Sequence, residues 1–236
     1  GAGMEITDGK WIYKGVIANM NASRNQPGEK APVFAYRVDY SRGEFQGFGF
    51  AGVHGKAANL TENILDGNGD VVAQKNSRLD LFEVDAYFIR GDWTVQGQVS
   101  LGKQKKAAVT VDPVTGELRD ASWWGLSTLA AYKWSPRFET TARLDYLNNK
   151  KNGGGLLGFT GADDRNGIGP DPAGDPEIGA NRTAITLGAS WLFNLNTTFK
   201  AEYRLDRASQ PVFINVKDST YSKTNQMIGA SVLVSF

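Results

Sequence analysis

Residues 199–206 read Phe199-Lys200-Ala201-Glu202-Tyr203-Arg204-Leu205-Asp206. Every odd-numbered side chain is apolar and every even-numbered one is charged. An extended chain turns successive side chains to opposite faces, so this stretch predicts a strand with one apolar and one charged face. The carboxy-terminal stretch repeats the pattern: Ile228, Ala230, Val232, Val234 and Phe236 oppose Asn225, Met227, Gly229, Ser231 and Leu233. Reading backward, the same alternation predicts strands near 10–19, 33–42, 44–54, 78–90, 93–104, 121–134, 137–149, 181–193, 196–207 and 223–236. Within 44–54, Phe45 falls out of phase with Phe48 and Phe50, so a bulge or glycine kink is expected there. No long stretch carries apolar residues at helical spacing.

The connections carry a second signal. Four are short, around Arg42-Gly43, Gly91-Asp92, Ser135-Pro136 and Asn194-Leu195. Five are long, over 20–32, 55–77, 105–120, 150–180 and 208–222. Long and short alternate strictly, so in an up-and-down meander every short turn lies at one end and every long loop at the other. Outer-membrane barrels have this layout. Trp11, Tyr13, Tyr40, Phe45, Phe88, Trp93, Tyr132, Trp134, Phe138, Trp191, Phe193 and Phe236 cluster near short turns or chain ends. Aromatic rings so placed form a girdle at the membrane–water interface. The fold class expected is all-β: a transmembrane up-and-down antiparallel β-barrel with about ten strands visible, forming one barrel domain over 1–236.

Composition fits. Twenty-six basic and 25 acidic residues leave a net charge of +1, without the basic excess of a nucleic-acid binder. There is no cysteine, which excludes disulfides, thiolate metal sites and cysteine nucleophiles. A single histidine, His54, excludes a multi-histidine metal centre. Mean hydropathy is −0.36, and no apolar run approaches the roughly 20 residues of a membrane helix.

The ending Ser231-Val-Leu-Val-Ser-Phe236 resembles the terminal signal of bacterial outer-membrane proteins, in which alternating apolar residues close on Phe. That resemblance implies a Gram-negative outer-membrane location, recognition of the last strand by the barrel-assembly machinery, and a surrounding of bilayer lipid and lipopolysaccharide. More narrowly, Arg143-Leu-Asp-Tyr-Leu-Asn-Asn149, Gly153-Gly-Gly-Leu-Leu-Gly158, Arg165-Asn-Gly-Ile-Gly169 and 199–206 resemble an uncharacterised betaproteobacterial porin-like family, distantly similar to phosphate-selective porins. The resemblance covers 143–236. Members of that family are longer at the amino terminus, which implies that the chain is the carboxy-terminal part of a larger barrel.

The polar faces supply the candidate pore-lining residues. They are Lys14, Arg37, Lys133, Arg143, Arg182, Lys200 and Arg204, with Asp39, Glu83, Asp85, Glu139, Asp145, Glu202 and Asp206. Seven of each sign predict weak selectivity. In mid-strand, Leu187 is expected to meet hydrocarbon and Thr186 the lumen, so arginine should be costly at 187 and cheap at 186.

The function expected is a porin for passive diffusion of small hydrophilic solutes or ions. The alternative is a non-conducting barrel acting as an anchor or surface-interaction protein through its long loops. A ten-stranded ring closed by 10–19 on 223–236 would favour the alternative, because its lumen would be plugged. Homo-oligomerisation is expected, and no cofactor. No enzymatic activity is expected either: some outer-membrane barrels are proteases or lipases, but these need a base, and His54 has no Ser or Asp beside it in a catalytic motif. Asp66-Gly-Asn68-Gly-Asp70 spaces oxygen ligands as a calcium loop does but has Ser77 at the twelfth position, so a plain turn is expected over a metal site. The acidic segment from Asp163 to Glu177 is expected to be a solvated loop.

Overall fold

The computed structural model describes residues 1–19, 31–65, 67–69, 71–108, 111–149 and 179–235. The strands are β1 (Ala2–Asp8), β2 (Trp11–Asn19), β3 (Pro32–Ser41), β4 (Gln46–Leu65), β5 (Val71–Arg90), β6 (Trp93–Gln104), β7 (Ala121–Ser135), β8 (Phe138–Asn148), β9 (Arg182–Asn194), β10 (Thr197–Ala208), β11 (Phe213–Asn215), β12 (Thr220–Ser222) and β13 (Thr224–Val234). Eleven of them form one antiparallel sheet in which neighbours in sequence are neighbours in space, and β11 and β12 form a separate hairpin. Among the described residues β1 and β13 pair on one side only, so the sheet does not close on itself.

Where the sheet faces lipid, strand existence follows from the alternation. Three expectations are corrected. β1 precedes the first expected strand and pairs with β2 through a two-residue turn, Gly9-Lys10. Gly9 and Gly91 stand at the first central position of their turns with φ of +58° and +57°, a conformation that favours glycine in tight hairpins. The segment 55–77 is not a long loop: β4 and β5 continue as a paired ribbon to Leu65 and Val71. Nor is there a bulge near Phe45. That residue lies in the turn before β4, and pairing is continuous from Gly47 to Gly55 on β3 and from Gln46 to Ala58 on β5. The irregularity falls higher, between Ala58 and Asn63.

The two faces differ as the sequence requires. One transverse row of direct partners runs Ile6, Tyr13, Val38, Phe50, Val84, Val99, Leu126 and Tyr146. This face is uncovered: Val84 is 44% exposed, Leu101 51% and Leu187 54%. A continuous apolar surface of that size is not stable against water, but it matches lipid.

The row one residue away is polar: Asp39, Gly49, Asp85, Gln98, Ser127, Asp145, Ala184 and Asp206. It runs obliquely. Asp39 is adjacent to Tyr40 at the short-turn end, whereas Asp206 lies seven residues beyond Phe199 toward the long loops.

Aromatic rings pack on the apolar face at the short-turn end. Trp11 meets Tyr40 at 4.8 Å, Trp93 meets Tyr132 at 4.7 Å, and Trp191 meets Phe193 at 5.5 Å and Phe199 at 5.9 Å. A second aromatic level, not expected from sequence, lies at the long-loop end. There Phe34, Tyr36 and His54 stack in series, and Trp124 packs on Tyr146 at 5.0 Å. Trp124 and Tyr132 are eight residues apart on β7, about 26 Å along the strand at roughly 3.3 Å per residue. A strand tilted by about 40° then spans about 20 Å, near the height of an apolar barrel band.

Buried apolar side chains form two small clusters at the long-loop end. In one, Ala107 and Ala108 of the β6–β7 connection pack with Ala57, Leu79, Ala121 and Trp123. In the other, Val212 and Phe213 pack with Ala180 and Ala208. Phe236, Asp66, Asp70 and the acidic segment 163–177 lie outside the described residues.

Candidate functional site

All fourteen charged residues singled out in the sequence stand on the polar face, and Glu5 on β1 joins them 3.3 Å from Lys14. Their side chains converge. Arg37 on β3 reaches over β4 to Asp85 on β5, with contacts of 2.8–3.0 Å, while also holding Asp39 at 2.8 Å and approaching Glu83 at 3.9 Å. The reach is open because β4 presents only Gly49 and Ala51 beneath it. A Cβ on Gly49 would meet Asp39 Oδ1 at 2.6 Å and Arg37 at 2.7 Å.

Farther along the same face, Asp206 is only 3% exposed and accepts from two guanidinium groups, Arg182 at 2.6 Å and Arg204 at 3.0 Å. A carboxylate so enclosed needs such partners, and each charge-assisted bond is stronger than a neutral one. Asp145 accepts from Ser127 at 2.6 Å and Arg143 at 2.9 Å.

Two open cavities line this face. One of about 470 Å³ is bounded by Arg37, Glu83, Asp85, Gln98, Ser127 and Arg143. One of about 250 Å³ is bounded by Ser100, Gly125, Asp145, Arg182 and Arg204 among others.

The charges segregate in a way the balanced sum concealed. On β2–β5, Lys14 and Arg37 face Asp39, Glu83 and Asp85. On β7–β10, Lys133, Arg143, Arg182, Lys200 and Arg204 outnumber Glu139, Asp145, Glu202 and Asp206. The division follows strand order, two basic to three acidic and five basic to four acidic, so it is already present in the order of the sequence.

The connection after β6 folds back on itself. The Ala108 amide donates to the Arg119 carbonyl at 3.0 Å, and Asp120 holds Lys103 at 3.3 Å and accepts from the Lys106 amide at 3.1 Å. Burial works against the Asp120 anion, but these bonds outweigh it and keep the carboxyl below its ordinary range.

His54 is on the apolar face, stacked on Tyr36, and its Nδ1 donates to Asp80 at 3.0 Å. It is therefore remote from the charged face. Of the twelve girdle residues, ten lie near short turns on the apolar face, Phe45 lies in the turn before β4, and Phe236 lies outside the described residues. The weak calcium candidate is represented only by Asn68.

An uncovered apolar band between two aromatic levels, with charge gathered on the opposite face, defines an outer-membrane β-barrel protein. Solved structures share this fold. OmpT, an outer membrane protein of Vibrio cholerae, folded in vitro, matches with a TM-score of 0.55 at 13% identity, over 98% of this chain and 62% of that one. The loop L8 deletion mutant of OmpT gives 0.56 at 14% identity, over 98% and 61%. The trimer form of in-vitro folded OmpT gives 0.54 at 12% identity, over 98% and 61%. The chain thus spans less than two thirds of the length of these neighbours. By sequence, residues 1–236 match the family described as protein of unknown function DUF3138, and the chain belongs to that family. No curated protein matches it.

Two expectations change. The family match reaches the whole chain rather than 143–236, and the narrower likeness to a betaproteobacterial family and to phosphate-selective porins gains no support. The exclusion of enzymatic activity is overturned. The chain shares the OmpT-type barrel fold, and a fold of this kind hosts more than one function, so the lack of a catalytic motif around His54 in the sequence is no ground for exclusion; in the fold His54 has Asp80 beside it.

Proposed function

We propose that the chain forms the wall of a water-filled outer-membrane pore for passive diffusion of small hydrophilic solutes or ions. The observation that carries this reading is the width of the charged face. Strand β2 pairs with β1 instead of closing a ten-stranded ring on β13, and eleven strands leave the polar side chains facing open cavities. A narrow ring would interlock the same side chains across its lumen. The near balance of charge along the whole face favours weak selectivity.

On the same footing, we propose that β13 serves as the strand read by the barrel-assembly machinery. We also propose that the protein forms a homo-oligomer, a reading prompted by the trimer form of OmpT. The test is single-channel recording of the intact protein in planar bilayers. Stepwise ohmic currents are expected, with a cation-to-anion permeability ratio that rises in Arg143→Ala. An absence of current under all voltages and salts would sink the pore and favour the anchoring alternative.

A further inference from the structure

The apolar face ends, at the long-loop side, in a group of cations that the pore does not use. Lys56 on β4 and Arg78 on β5 are direct cross-strand partners. Lys105, just after β6, donates its amide to the Arg78 carbonyl at 2.9 Å and so continues the same row. Lys103 lies two residues lower, opposite Asp80. All four side chains lie on the apolar face, and Arg78, Lys103 and Lys105 are 68, 55 and 58% exposed.

Like charges placed directly opposite each other destabilise a sheet, and here three stand side by side. Two carboxylates face them: Asp80, bound to Arg78 at 2.8 Å and to His54, and Asp120, bound to Lys103 at 3.3 Å and Lys105 at 3.8 Å. Among the described residues, four cations thus share two carboxylates. Immediately below, on the same face, lie the direct partners Phe82, Leu101 and Trp124, exposed at the level of the second aromatic belt. Lys103 is two residues above Leu101, about 6.6 Å along the strand.

We infer that this cluster binds the phosphate of an anionic lipid in the outer leaflet, with the acyl chains against Leu101 and Trp124. The leaflet follows from the long loops, which face outward in such barrels. The ligand class follows from the chemistry. Arg and Lys side chains at headgroup height donate to phosphate oxygens, and an apolar floor below them fits a tail and not a free ion. The inference rests on the barrel reading but not on conduction.

The test is native mass spectrometry of the intact protein in detergent, titrated with lipid A or with enzymatically dephosphorylated lipid A. The wild-type protein should retain the phosphorylated form at least tenfold better, and 20 mM inorganic phosphate should not displace it. Lys56→Gln/Arg78→Gln/Lys105→Gln should abolish that preference, while Arg207→Gln, on the same face but on β10, should leave it intact. Equal retention of the two lipids by the wild-type protein would overturn the proposal, whether or not the variant folds. Displacement by inorganic phosphate would show an anion site rather than a lipid site and would overturn it too. Conductance is unaffected by either result, so failure here and failure of the pore are distinguishable.

Discussion

Leu187→Arg tests the membrane assignment most directly. Leu187 is 54% exposed on the apolar face, and its direct partners are Ala142 and Tyr203, neither of them an anion. It stands four residues from Trp191 at one aromatic level and four from Thr183, the partner of Tyr146 at the other. Four residues are about 13 Å along the strand and about 10 Å along the membrane normal at a tilt near 40°. An arginine there cannot reach either interface, so the cost should be about 2–4 kcal/mol, that of a cation at the bilayer midplane. This corresponds to roughly a 30- to 1,000-fold loss in the folding equilibrium.

The control is Gly188→Arg, one residue on and on the opposite face. Gly188 has Glu202 and Thr141 as direct partners, and a Cβ there would find its nearest neighbour at 3.7 Å, so the new charge gains a carboxylate and open space. Its cost should be within about 0.5 kcal/mol of zero. Thr186, which sequence alone suggested as the cheap position, is a poor control because Arg143 and Arg204 are its direct partners. Thr186→Arg should lose up to about 1 kcal/mol to like-charge repulsion. Reversible unfolding from lipid vesicles measures all three. Equal costs at 187 and 188, or a larger one at 188, would refute the assignment of faces.

Asp206→Asn should destabilise the protein by about 2–3 kcal/mol in the same assay, somewhat below the roughly 3–5 kcal/mol of a fully buried pair, because Arg204 remains partly solvated. Gly49→Val should prise Arg37 from Asp85 and cost about 1–3 kcal/mol by overpacking; unchanged unfolding would show that the arginine does not depend on the space above Gly49. Trypsin added to intact cells should cut at Lys217, in the turn between β11 and β12, and spare Arg90 beside the Gly91-Asp92 turn; the opposite pattern would invert the topology. The Asp120 carboxyl is held below its ordinary value of 3.8, so its stabilisation of the 105–120 connection is complete above that value and fades as pH falls through the lowered one. Hydrogen exchange at Lys106 and Ala108 should accelerate only below about pH 4, and exchange independent of pH after correction for the intrinsic rate would contradict this.

Strands that face lipid were legible because hydrocarbon demands an apolar residue at every second position. The demand lapses outside the membrane, and so does the signal. Beyond the lipid band β4 continues through Lys56 and Asn59, where neither face has to be apolar: Asn59 is buried and donates to the Lys106 carbonyl, and the sequence there reads as a loop. In β1, Met4 and Ile6 alternate with Gly3 and Glu5, but seven residues at the chain start are too few to stand out. Of the charged face, membership was legible from parity alone, and partnership was not. That Arg37 joins Asp85 depends on register across three strands and on the small residues of β4, neither of which leaves a local trace. The lipid-side cations were hidden for the same reason, since Lys56, Arg78 and Lys105 are far apart in sequence and meet only through pairing.

The oblique run of the acidic row bears on how a solute would travel along the charged face. Asp39 lies one residue from the short-turn aromatic level, Asp85 three residues from Phe88, and Asp145 and Asp206 seven residues from Phe138 and Phe199. At about 2.5 Å of height per residue on a tilted strand, the row climbs about 15 Å. It is therefore a spiral staircase rather than a collar. A cation moving along it would be handed from one carboxylate to the next while an arginine stood beside most steps, and at no depth would it meet a closed ring of like charge. Such a path has neither a deep trap nor a single gatekeeping step, so single substitutions along it should tune passage in small increments instead of abolishing it.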